Sequence, residues 1–457
     1  MKISRASVVM VLVGVGGAAL VALGLAAPAD QERAPAPGGA QAAGVTPPPA
    51  PPGGPAPANW IMAEAPVLTG PVQLTSRERF IKAGEAYFGP KDWIIFQAVP
   101  VPAEGKDPDP FYSMYVAKLT RGADGRISGL EEPIRVSAEG SANTCGWFHP
   151  KLPGTVMFGS TITPPSSDQK AGFQVGTRRY EWLFPQEMEI VTTTVPQVFA
   201  DVAGKPARRA PLALPPAAAL FERPGYDAEG SYSPDGRFIL YAHVREDTKP
   251  EDRADVDLWV YDTRTGAQHA IVAEQGYDGG PFFSPDGRSI CYRSDRKLND
   301  KLQLFVADLR FDAGGVPVGV EREHQLTDNG AVNWAPFWHP SGSFLAYGTS
   351  ELGHFNYEVF AIEVDRAKLA ADGPGSRAAE TLRRGRVTHA PGADVLPVFN
   401  SDGDVMMWTG QRGPMVPGEQ RPSSQLWAAD FDAAALTLDI VGAAPVAPAG
   451  APSGAHP

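Results

Sequence analysis

Short apolar runs alternate with tight polar turns along most of this chain, and the pattern repeats. The runs are rich in aromatic and β-branched residues and are too short for helices, which predicts β-strands. The clearest turn, Ser233-Pro234-Asp235-Gly236-Arg237, recurs as Ser284-Pro285-Asp286-Gly287-Arg288. Proline presets φ, aspartate bonds its own backbone, and glycine accepts the positive φ that follows. Each copy is therefore predicted to join two antiparallel strands.

Six copies of this turn can be aligned. Two drifted copies are His339-Pro340-Ser341-Gly342-Ser343 and Asn400-Ser401-Asp402-Gly403-Asp404, and two more divergent copies contain Pro90 and Pro150. The central turn residues lie at positions 90, 150, 234, 285, 340 and 401. Periods of about 40–50 residues with several strands per unit are typical of propeller blades.

Two strand-like runs follow each turn. The runs directly after the turns are 93–96, 156–158, 238–241, 290–292, 344–347 and 405–408. The next runs along the chain are 112–116, 180–183, 258–261, 304–307, 359–362 and 426–429. The sequence therefore predicts an all-β fold, a six-bladed β-propeller of four-stranded antiparallel blades over residues 59–440. An irregular β-sandwich is the alternative.

A short signature predicts how the ring closes. Gln325-Leu326-Thr327 and Arg386-Val387-Thr388 are predicted to be the outermost strands of blades four and five. Val72-Gln73-Leu74-Thr75 has the same sequence pattern but comes before the first complete blade. We therefore expect residues 72–75 to form the outer strand of blade six, beside the strand that contains Leu426-Trp427. Residues 436–440 are the rival occupant of that edge.

The remaining segments differ in composition. Residues 1–29 carry Lys2 and Arg5 before an uncharged apolar run at 6–27, which predicts a signal peptide or a membrane-anchor helix. Residues 30–58 form a Pro/Ala/Gly linker, residues 441–457 a disordered tail, and a Pro-rich insertion is expected at about 196–225. The domain is therefore predicted to be periplasmic or secreted, or anchored to the membrane by residues 6–27.

Charge and cysteine content narrow the function. The net charge is −12 without a sizeable basic cluster, which argues against nucleic acid as a partner. Two cysteines, Cys145 and Cys291, exclude a disulfide scaffold and a cysteine-rich zinc module. No Gly-x-Ser-x-Gly elbow is found, and no catalytic residue is predicted.

The repeats resemble those of TolB-type β-propellers. The resemblance is carried by Tyr232-Ser233-Pro234-Asp235-Gly236-Arg237 and by Phe283-Ser284-Pro285-Asp286-Gly287-Arg288 with the strands that follow. It covers roughly residues 65–432 and fades in the first two blades, where Gly89 and His149 replace the serine. It implies a propeller in a cell-envelope setting. TolB has a small α/β domain before its propeller, whereas a proline-rich linker stands here, so the resemblance does not extend to TolB's own partners.

Polar residues near the start of the innermost strands are expected to line the channel mouth. An acidic and amide-rich mouth would favour a cationic or hydroxyl-rich ligand, or a metal ion, although solvated channel residues would look the same. The candidates are Asn143, Glu229, Asp278, Asn333 and Asp394.

His149 and His339 hold the same position in their repeats, next to proline. Either they are turn residues that bond the backbone, or they bind a divalent metal at one end of the channel. Oligogalacturonate lyases are propellers that use a histidine-held metal, so the second interpretation implies a metal-dependent enzyme acting on acidic polysaccharide. Apart from that metal, no cofactor is expected.

The sequence favours a non-catalytic, monomeric binding or scaffold module for an envelope protein or polysaccharide. The metal-dependent propeller enzyme is the alternative. Contact with the membrane is expected only through the N-terminal segment.

Overall fold

The computed structural model describes residues 59–166, 172–174, 179–181, 184–205, 214–245, 255–371, 380–419 and 421–441. The predicted signal or anchor segment, the linker and nearly all of the predicted tail lie outside these residues. Within the described ranges, no helix is both long enough and apolar enough to span a membrane.

Six antiparallel sheets form the blades, which confirms the predicted six-bladed propeller. In blades 1 to 5 the four strands are hydrogen-bonded in chain order, with the first strand innermost; in blade 6 the three inner strands follow this order and the outermost strand comes from near the N-terminus. Blade 1 contains the strands Phe80–Phe88, Trp93–Pro100, Ser113–Arg121 and, at its outer edge, Ile127–Leu130 with Ile134–Arg135. Blade 2 contains Asn143–Phe148, Thr155–Ser160, Glu189–Thr194 and Ala218–Ala219. Blade 3 contains Gly225–Tyr232, Phe238–Arg245, Val256–Asp262 and Gln268–Val272.

Blade 4 contains the strands Asp278–Phe283, Ser289–Ser294, Gln303–Phe311 and Pro317–Gln325. Blade 5 contains Asn333–Trp338, Phe344–Thr349, Glu358–Glu363 and Arg383–Arg386. Blade 6 contains Asp394–Phe399, Val405–Gly410, Gln425–Phe431 and Leu68–Gln73. The described helices are Trp60–Glu64, Pro196–Val202, Arg366–Ala371 and the 3-10 turn Pro90–Asp92. We call the end of the channel where the first strands begin the mouth face. The end where the first strands turn into the second is the turn face.

The fourth residue of the second strand is a fully buried aromatic side chain in all six blades. These residues are Phe96, Phe158, Tyr241, Tyr292, Tyr347 and Trp408. Full burial of such a side chain contributes about 1.5–3 kcal/mol. The same position in every repeat therefore supplies the centre of each blade's core.

The predicted closure of the ring is confirmed. The N-terminal strand Leu68–Gln73 pairs antiparallel with Gln425–Phe431, with Val72 opposite Ala428 and Gln73 opposite Trp427. The Leu74 N–H then donates to the Leu426 carbonyl at 2.8 Å. The sheet of the last blade thus contains strands from both ends of the chain.

The rival prediction for that edge is wrong. Ile440–Val441 pairs with Arg383–Arg386 and forms a fifth strand of blade 5. Because the N-terminal strand already covers blade 6, the chain's end pairs with the exposed edge next to it.

The three-residue signature that predicted the closure makes the same hydrogen bonds to the neighbouring strand in blades 4, 5 and 6. The threonine hydroxyl accepts a hydrogen bond from the backbone N–H of the neighbouring third strand, at 2.8–2.9 Å. The pairs are Thr75 with Leu426, Thr327 with Leu304 and Thr388 with Val359. The residue two positions earlier donates to the carbonyl of the same threonine; these residues are Gln73, Gln325 and Arg386.

The turns are built as their sequence predicts. In blade 3 the Asp235 carboxylate accepts from the Ser233 hydroxyl at 2.6 Å and from the Arg237 N–H at 3.0 Å. The turn glycines Gly236, Gly287, Gly342 and Gly403 all have φ between +69° and +77°.

One predicted strand is wrong. The third strand of blade 2 is Glu189–Thr194 and not 180–183. Arg179–Glu181 instead pairs with Gly172–Gln174 in a separate two-stranded hairpin. Fully buried Ile190 and Val191 fit the blade core, with Val191 opposite Phe158 of the second strand.

The predicted insertion at 196–225 contains regular structure where it is described. The helix Pro196–Val202 begins it, and Val198 of that helix is buried. Ala218–Ala219 supplies the outermost strand of blade 2.

Candidate functional site in the central channel

Every innermost strand contains a β-bulge, where the register with the second strand shifts. The first residue of each bulge has a left-handed φ between +44° and +58°. We call these six residues the bulge ring: Glu85, Cys145, Glu229, Gly280, Ala335 and Leu396. A non-glycine residue in this region costs about 1–2 kcal/mol, and five of the six are not glycine. Such repeated strain is typical of sites where the fold must aim a side chain.

The sequence carries a signal for the bulges that its repeats alone did not reveal. In blades 4, 5 and 6 the residue after the bulge-ring residue is proline, at 281, 336 and 397. Proline has no N–H to donate to the ladder, so its presence in an inner strand indicates a bulge. Blades 1 to 3 have the small residues Ala86, Gly146 and Gly230 in its place.

The bulge ring brings Glu85 of blade 1 against Cys145 of blade 2. The Cys145 thiol donates to Glu85 Oε1 at 2.8 Å, and the Tyr87 hydroxyl donates to the same oxygen at 3.2 Å. Burial, followed by the carboxylates of Glu85 and Glu229, raises the pKa of the Cys145 thiol well above its ordinary value. Cys145 is therefore a protonated hydrogen-bond donor here and is not an activated nucleophile.

Glu229 of blade 3 is bound by three groups of blade 4. The Tyr277 hydroxyl donates to Glu229 Oε1 at 2.8 Å, and the Gly280 N–H donates to Oε2 at 2.5 Å. The Arg293 guanidinium reaches Oε2 at 3.2 Å and donates to the Tyr277 oxygen at 2.6 Å. Arg293 comes from the second strand of its blade, and its charge neutralises Glu229 inside the channel.

Gly280 makes room for this arginine. A Cβ atom on Gly280 would lie 1.8 Å from Arg293 Nη1, and φ at this residue is +58°. The bulge of blade 4 therefore requires glycine both for its backbone conformation and for the passage of the guanidinium group.

Aromatic side chains close the channel in the next layer. Two residues after the bulge-ring position, four blades carry rings whose centroids lie 4.9–6.3 Å apart in every pairing. We call them the aromatic layer: Tyr87, Trp147, Phe282 and Phe337. Because these rings come from blades 1, 2, 4 and 5 and meet one another, they block the channel at this level.

A small cavity, with room for about one water molecule, lies where the bulge ring meets the aromatic layer. Its lining includes Glu85, Tyr87, Phe282, Ala335, Phe337 and Leu396. Blades 1 to 3 place carboxylates and a thiol in the bulge ring, whereas blades 4 to 6 place a glycine, a methyl group and an isobutyl group there. The bulge ring thus has a polar half and an apolar half.

The predicted mouth residues have two different locations. Glu229 belongs to the bulge ring. The other four are the first residues of their inner strands and are at most 3% exposed: Asn143, Asp278, Asn333 and Asp394. Their binding role stays a prediction.

Contacts between and within the blades occupy three of these four buried polar groups, whereas the carboxylate oxygens of Asp278 accept no hydrogen bond from the described residues and lie 3.5 Å or more from the guanidinium of Arg296. Asn143 donates to the Tyr112 carbonyl of blade 1 at 2.8 Å, and Asn333 donates to Gln303 of blade 4 at 3.0 Å. Asp394 accepts from Arg412 of its own blade at 2.6 Å. Burial raises the pKa of Asp278 to about 7.

His149 and His339 lie in blades 2 and 5, and each contacts the turn of the next blade. His339 Nε2 is 3.1 Å from the carbonyl of Gly403. The His149 ring packs against Gly236: a Cβ atom on that glycine would lie only 2.6 Å from the nearest atom of the ring. Across the described residues, no three His, Cys, Asp or Glu side chains are arranged to hold a metal ion. A channel metal stays a prediction.

These features define a six-bladed β-propeller with a buried, partly acidic channel site. No protein-family model matches the chain. Four curated proteins match segments of it, and three of them are described below. An uncharacterized protein of Agrobacterium fabrum is 27% identical over 126 residues, 27% of this chain and 37% of that protein. Dipeptidyl-peptidase 5 of Porphyromonas gingivalis is 39% identical over 84 residues, 17% of this chain and 12% of that protein.

The third relative is the Tol-Pal system protein TolB of Nitratidesulfovibrio vulgaris, 27% identical over 130 residues, 28% of this chain and 25% of that protein. The matched segments span between 12% and 37% of these relatives' own lengths. The match to TolB, together with the sheet topology, confirms the resemblance of the repeats to those of TolB-type propellers.

Solved structures are similar at low sequence identity. A putative TolB from Agrobacterium tumefaciens has a TM-score of 0.43 at 13% identity, covering 77% of this chain and 90% of that chain. An oligogalacturonate lyase from Vibrio parahaemolyticus has a TM-score of 0.42 at 11% identity, covering 81% and 96%.

Proposed function

We propose that this chain is a non-catalytic, extracytoplasmic β-propeller that binds a protein or polymer of the cell envelope on its mouth face. The observation that carries the proposal is a set of exposed apolar side chains on the loops between second and third strands. Antiparallel order places all these loops on the mouth face. The exposed residues, from blades 1, 4, 5 and 6, are Val101 (39%), Leu298 (37%), Phe355 (49%) and Met415 (49%).

Two of these loops are held in place by contacts between blades. The guanidinium of Arg421, from the blade 6 loop, lies 4.1 Å from the ring centre of Phe355 in the blade 5 loop. Glu419 of the same blade 6 loop pairs with Arg77 at 3.0 Å. An ordered surface with exposed Phe and Met loses little conformational entropy on binding, and these residue types are enriched in protein interfaces.

The envelope setting rests on two further observations. The predicted export segment at residues 6–27 would deliver the domain across the cytoplasmic membrane. The repeats are similar to those of TolB, a relative whose name assigns it to the Tol-Pal system. Both support an extracytoplasmic location for the binding surface.

Paired variants on opposite faces test the binding surface. The full chain is used to capture partners from envelope extract, and affinity for each identified partner is measured by surface plasmon resonance. The double variant Phe355→Ser/Met415→Ser should weaken binding at least about tenfold, as the loss of an interface hot spot does. The control Leu152→Ser/Phe311→Ser removes two apolar groups that are 55% and 40% exposed on the turn face, and it should bind like the wild type.

Equal losses in the two double variants, or a loss confined to the turn-face variant, would refute the mouth face as the binding surface. The location is tested by fusing residues 1–60 to a reporter that is active only outside the cytoplasm. An inactive, soluble cytoplasmic fusion would contradict export. Carbonate extraction then distinguishes a cleaved form from an anchored one.

A further inference from the structure

We propose that Arg421 and Phe355 on the mouth face bind an acidic segment of a protein partner, in which a carboxylate lies next to an apolar side chain. The segment belongs to the envelope partner of the proposed function, on which this assignment rests. The two residues lie in the loops between the second and third strands of blades 5 and 6, which span residues 350–357 and 411–424.

Arg421 carries a positive charge without a counter-charge. Its guanidinium lies 4.1 Å from the ring centre of Phe355, and it forms no ion pair or side-chain hydrogen bond within the described part of the chain. Burial lowers the pKa of this guanidinium, and no carboxylate of the described residues offsets that shift. A partly buried cation in this state is stabilised by an anion. A carboxylate suits it well, because its two oxygens can accept parallel bonds from the guanidinium edge while the face stays on the ring.

The acidic side chains of these two loops are already paired. Glu351 and Glu419 are the acidic residues that the loops contain. Glu351 pairs with Arg384, and Glu419 pairs with Arg77 at 3.0 Å. Since each carboxylate has its own arginine, neither neutralises Arg421. The patch therefore keeps a positive charge for a ligand, although the chain as a whole carries a net charge of −12.

Further positive charge lies close to Phe355. Burial, followed by the charges of Lys301 and Arg421, lowers the pKa of the His354 imidazole, which places both cations near that ring. The ring centre of His354 is 5.6 Å from that of Phe355. Lys301 belongs to the corresponding loop of blade 4 and is exposed. The surface around Phe355 is therefore locally positive, which attracts an acidic segment and repels a basic one.

The apolar part of the patch favours a protein segment over an acidic polysaccharide. Phe355 and Met415 are both 49% exposed, and aromatic, methionine and arginine side chains are enriched in protein interfaces. A sugar with many hydroxyls would need free hydrogen-bonding groups beside the cation. The neighbouring amide of Asn356 is engaged, because its Nδ2 donates to Glu358 at 3.4 Å and its Oδ1 accepts from the Gly392 N–H at 3.1 Å. A carboxylate next to an apolar side chain therefore fits these groups better than a carbohydrate does.

Peptide selection tests the proposal without a known partner. Random dodecapeptides displayed on phage are panned against the full chain and, in parallel, against Arg421→Gln. The wild type should select peptides with Asp or Glu next to a large apolar residue, and Arg421→Gln should lose that preference. The affinity of a selected peptide is then measured by fluorescence anisotropy. Arg421→Gln should weaken it at least about tenfold, as the loss of a hot-spot arginine does. Arg421→Lys should weaken it less, because lysine keeps the charge but not the planar fork.

Two controls separate the contact from general effects. Arg288→Gln makes the same substitution at an exposed arginine of the turn face, and it should bind the peptide like the wild type. A copy of the peptide with amides in place of its carboxylates should bind the wild type at least about tenfold more weakly. That copy should lose little more with Arg421→Gln, since the two changes remove the same contact. The comparison of the two peptides on the wild type decides the matter even when Arg421→Gln does not fold.

Several results would overturn the proposal: a selection without acidic residues, equal weakening by Arg421→Gln and Arg288→Gln, or unchanged affinity of the neutral peptide. Polygalacturonate should not displace the selected peptide, and displacement would assign the patch to an acidic polysaccharide instead. Partner capture that depends on Phe355→Ser/Met415→Ser but not on Arg421→Gln would refute the acidic segment and leave the proposed function intact. Acidic peptides that bind at Arg421, without an envelope partner that needs Phe355 and Met415, would refute the proposed function alone.

Discussion

Glu64 and Arg412, which are 348 residues apart in the sequence, are joined by two parallel hydrogen bonds of 2.8 Å each. Both side chains are only 1% exposed. Arg412 also donates to Asp394 at 2.6 Å and lies 4.6 Å from the ring centre of Trp60. Because Glu64 lies four residues before the N-terminal strand of blade 6, which begins at Leu68, this ion pair is a second closure of the ring beside the backbone ladder.

Breaking the ion pair should destabilise the propeller. In Glu64→Ala the buried Arg412 keeps Asp394 but loses its second carboxylate, and losing a buried partner costs about 3–5 kcal/mol. We expect a loss near the lower end, about 3 kcal/mol in the free energy of unfolding, measured by urea denaturation. Glu132→Ala, at an exposed ion pair with Arg79, should change it by less than about 1 kcal/mol. Equal effects of the two substitutions would contradict the second closure.

Removing the N-terminal strand should have a larger effect. Deletion of residues 60–76 removes the Leu68–Gln73 pairing and exposes the edge of the third strand of blade 6. An uncovered edge strand promotes association between molecules. The melting temperature should fall and oligomers should appear in size-exclusion chromatography. Deletion of residues 31–57 should change neither quantity, and a wild-type melting temperature for the 60–76 deletion would count against the clasp.

Acid should weaken the same region through His389. Its backbone N–H donates to Glu64 Oε1 at 2.6 Å. Burial, with a contribution from Arg386, lowers the pKa of the His389 imidazole to about 4. Between pH 4 and 6.5 the unfolded chain therefore binds more protons at His389 than the folded chain does, so this residue makes stability rise with pH. His389→Gln should flatten the increase of the melting temperature across that range. Parallel curves for wild type and variant would disprove the role of His389.

Glu85 should act in the opposite sense. Burial raises the pKa of its carboxyl above the ordinary value, although the hydrogen bond from Cys145 partly offsets the shift. The groups that face it are Cys145, Tyr87, Glu229 and Arg293. The folded state therefore retains this proton longer than the unfolded state, and the stability contributed by Glu85 is lost as pH rises.

Glu85→Gln should accordingly raise the melting temperature more at pH 8 than at pH 4. Thermal scans of both proteins at the two pH values measure the difference. A gain that does not depend on pH would show that the carboxyl of Glu85 is not the titrating group.

Gly280→Ala should disrupt the channel site. The new methyl group would meet Arg293 Nη1 at 1.8 Å and displace a buried guanidinium from Glu229, at a cost of about 3–5 kcal/mol. Gly342→Ala is the matched control, because Gly342 has φ +70° but no atom within 4 Å of an added Cβ. That control should lose only the backbone cost of about 1–2 kcal/mol. The free energy of unfolding of each variant is measured by chemical denaturation. The difference between the two losses gives the cost of the contact with Arg293, apart from the cost of the backbone strain.

Local sequence was sufficient for most of the scaffold. The turn at Ser233-Pro234-Asp235-Gly236 and the strand after it follow from turn chemistry and from alternating side chains, both of which act within a few residues. The closing strand was also predictable, because the Gln73-Leu74-Thr75 signature is bonded in the same way as its copies in blades 4 and 5. Because this signature repeats along the chain, the sequence alone predicted the contact between the N-terminal strand and the last blade.

The third strand of blade 2 shows where local patterns are insufficient. Residues 180–183 and 189–194 are both apolar enough to be strands, and only pairing with Thr155–Ser160 selects the second. The fifth strand of blade 5 was likewise decided by which sheet edge remained uncovered after the N-terminal strand had paired. Both outcomes depend on competition between distant segments.

The channel site depends still more on the closed ring. Glu229 could be anticipated from its place near the start of an inner strand, and Glu85 and Cys145 hold the same repeat position, five residues before the central turn residues 90 and 150. Arg293 comes from the second strand of blade 4, and no repeat position links it to them. The sequence by itself determined the repeats, their turns and the strand that closes them, since those follow from local backbone chemistry. Only the tertiary structure decided which side chains meet at the axis, because a bulge in each inner strand must turn them inward and the ring must close before they can touch.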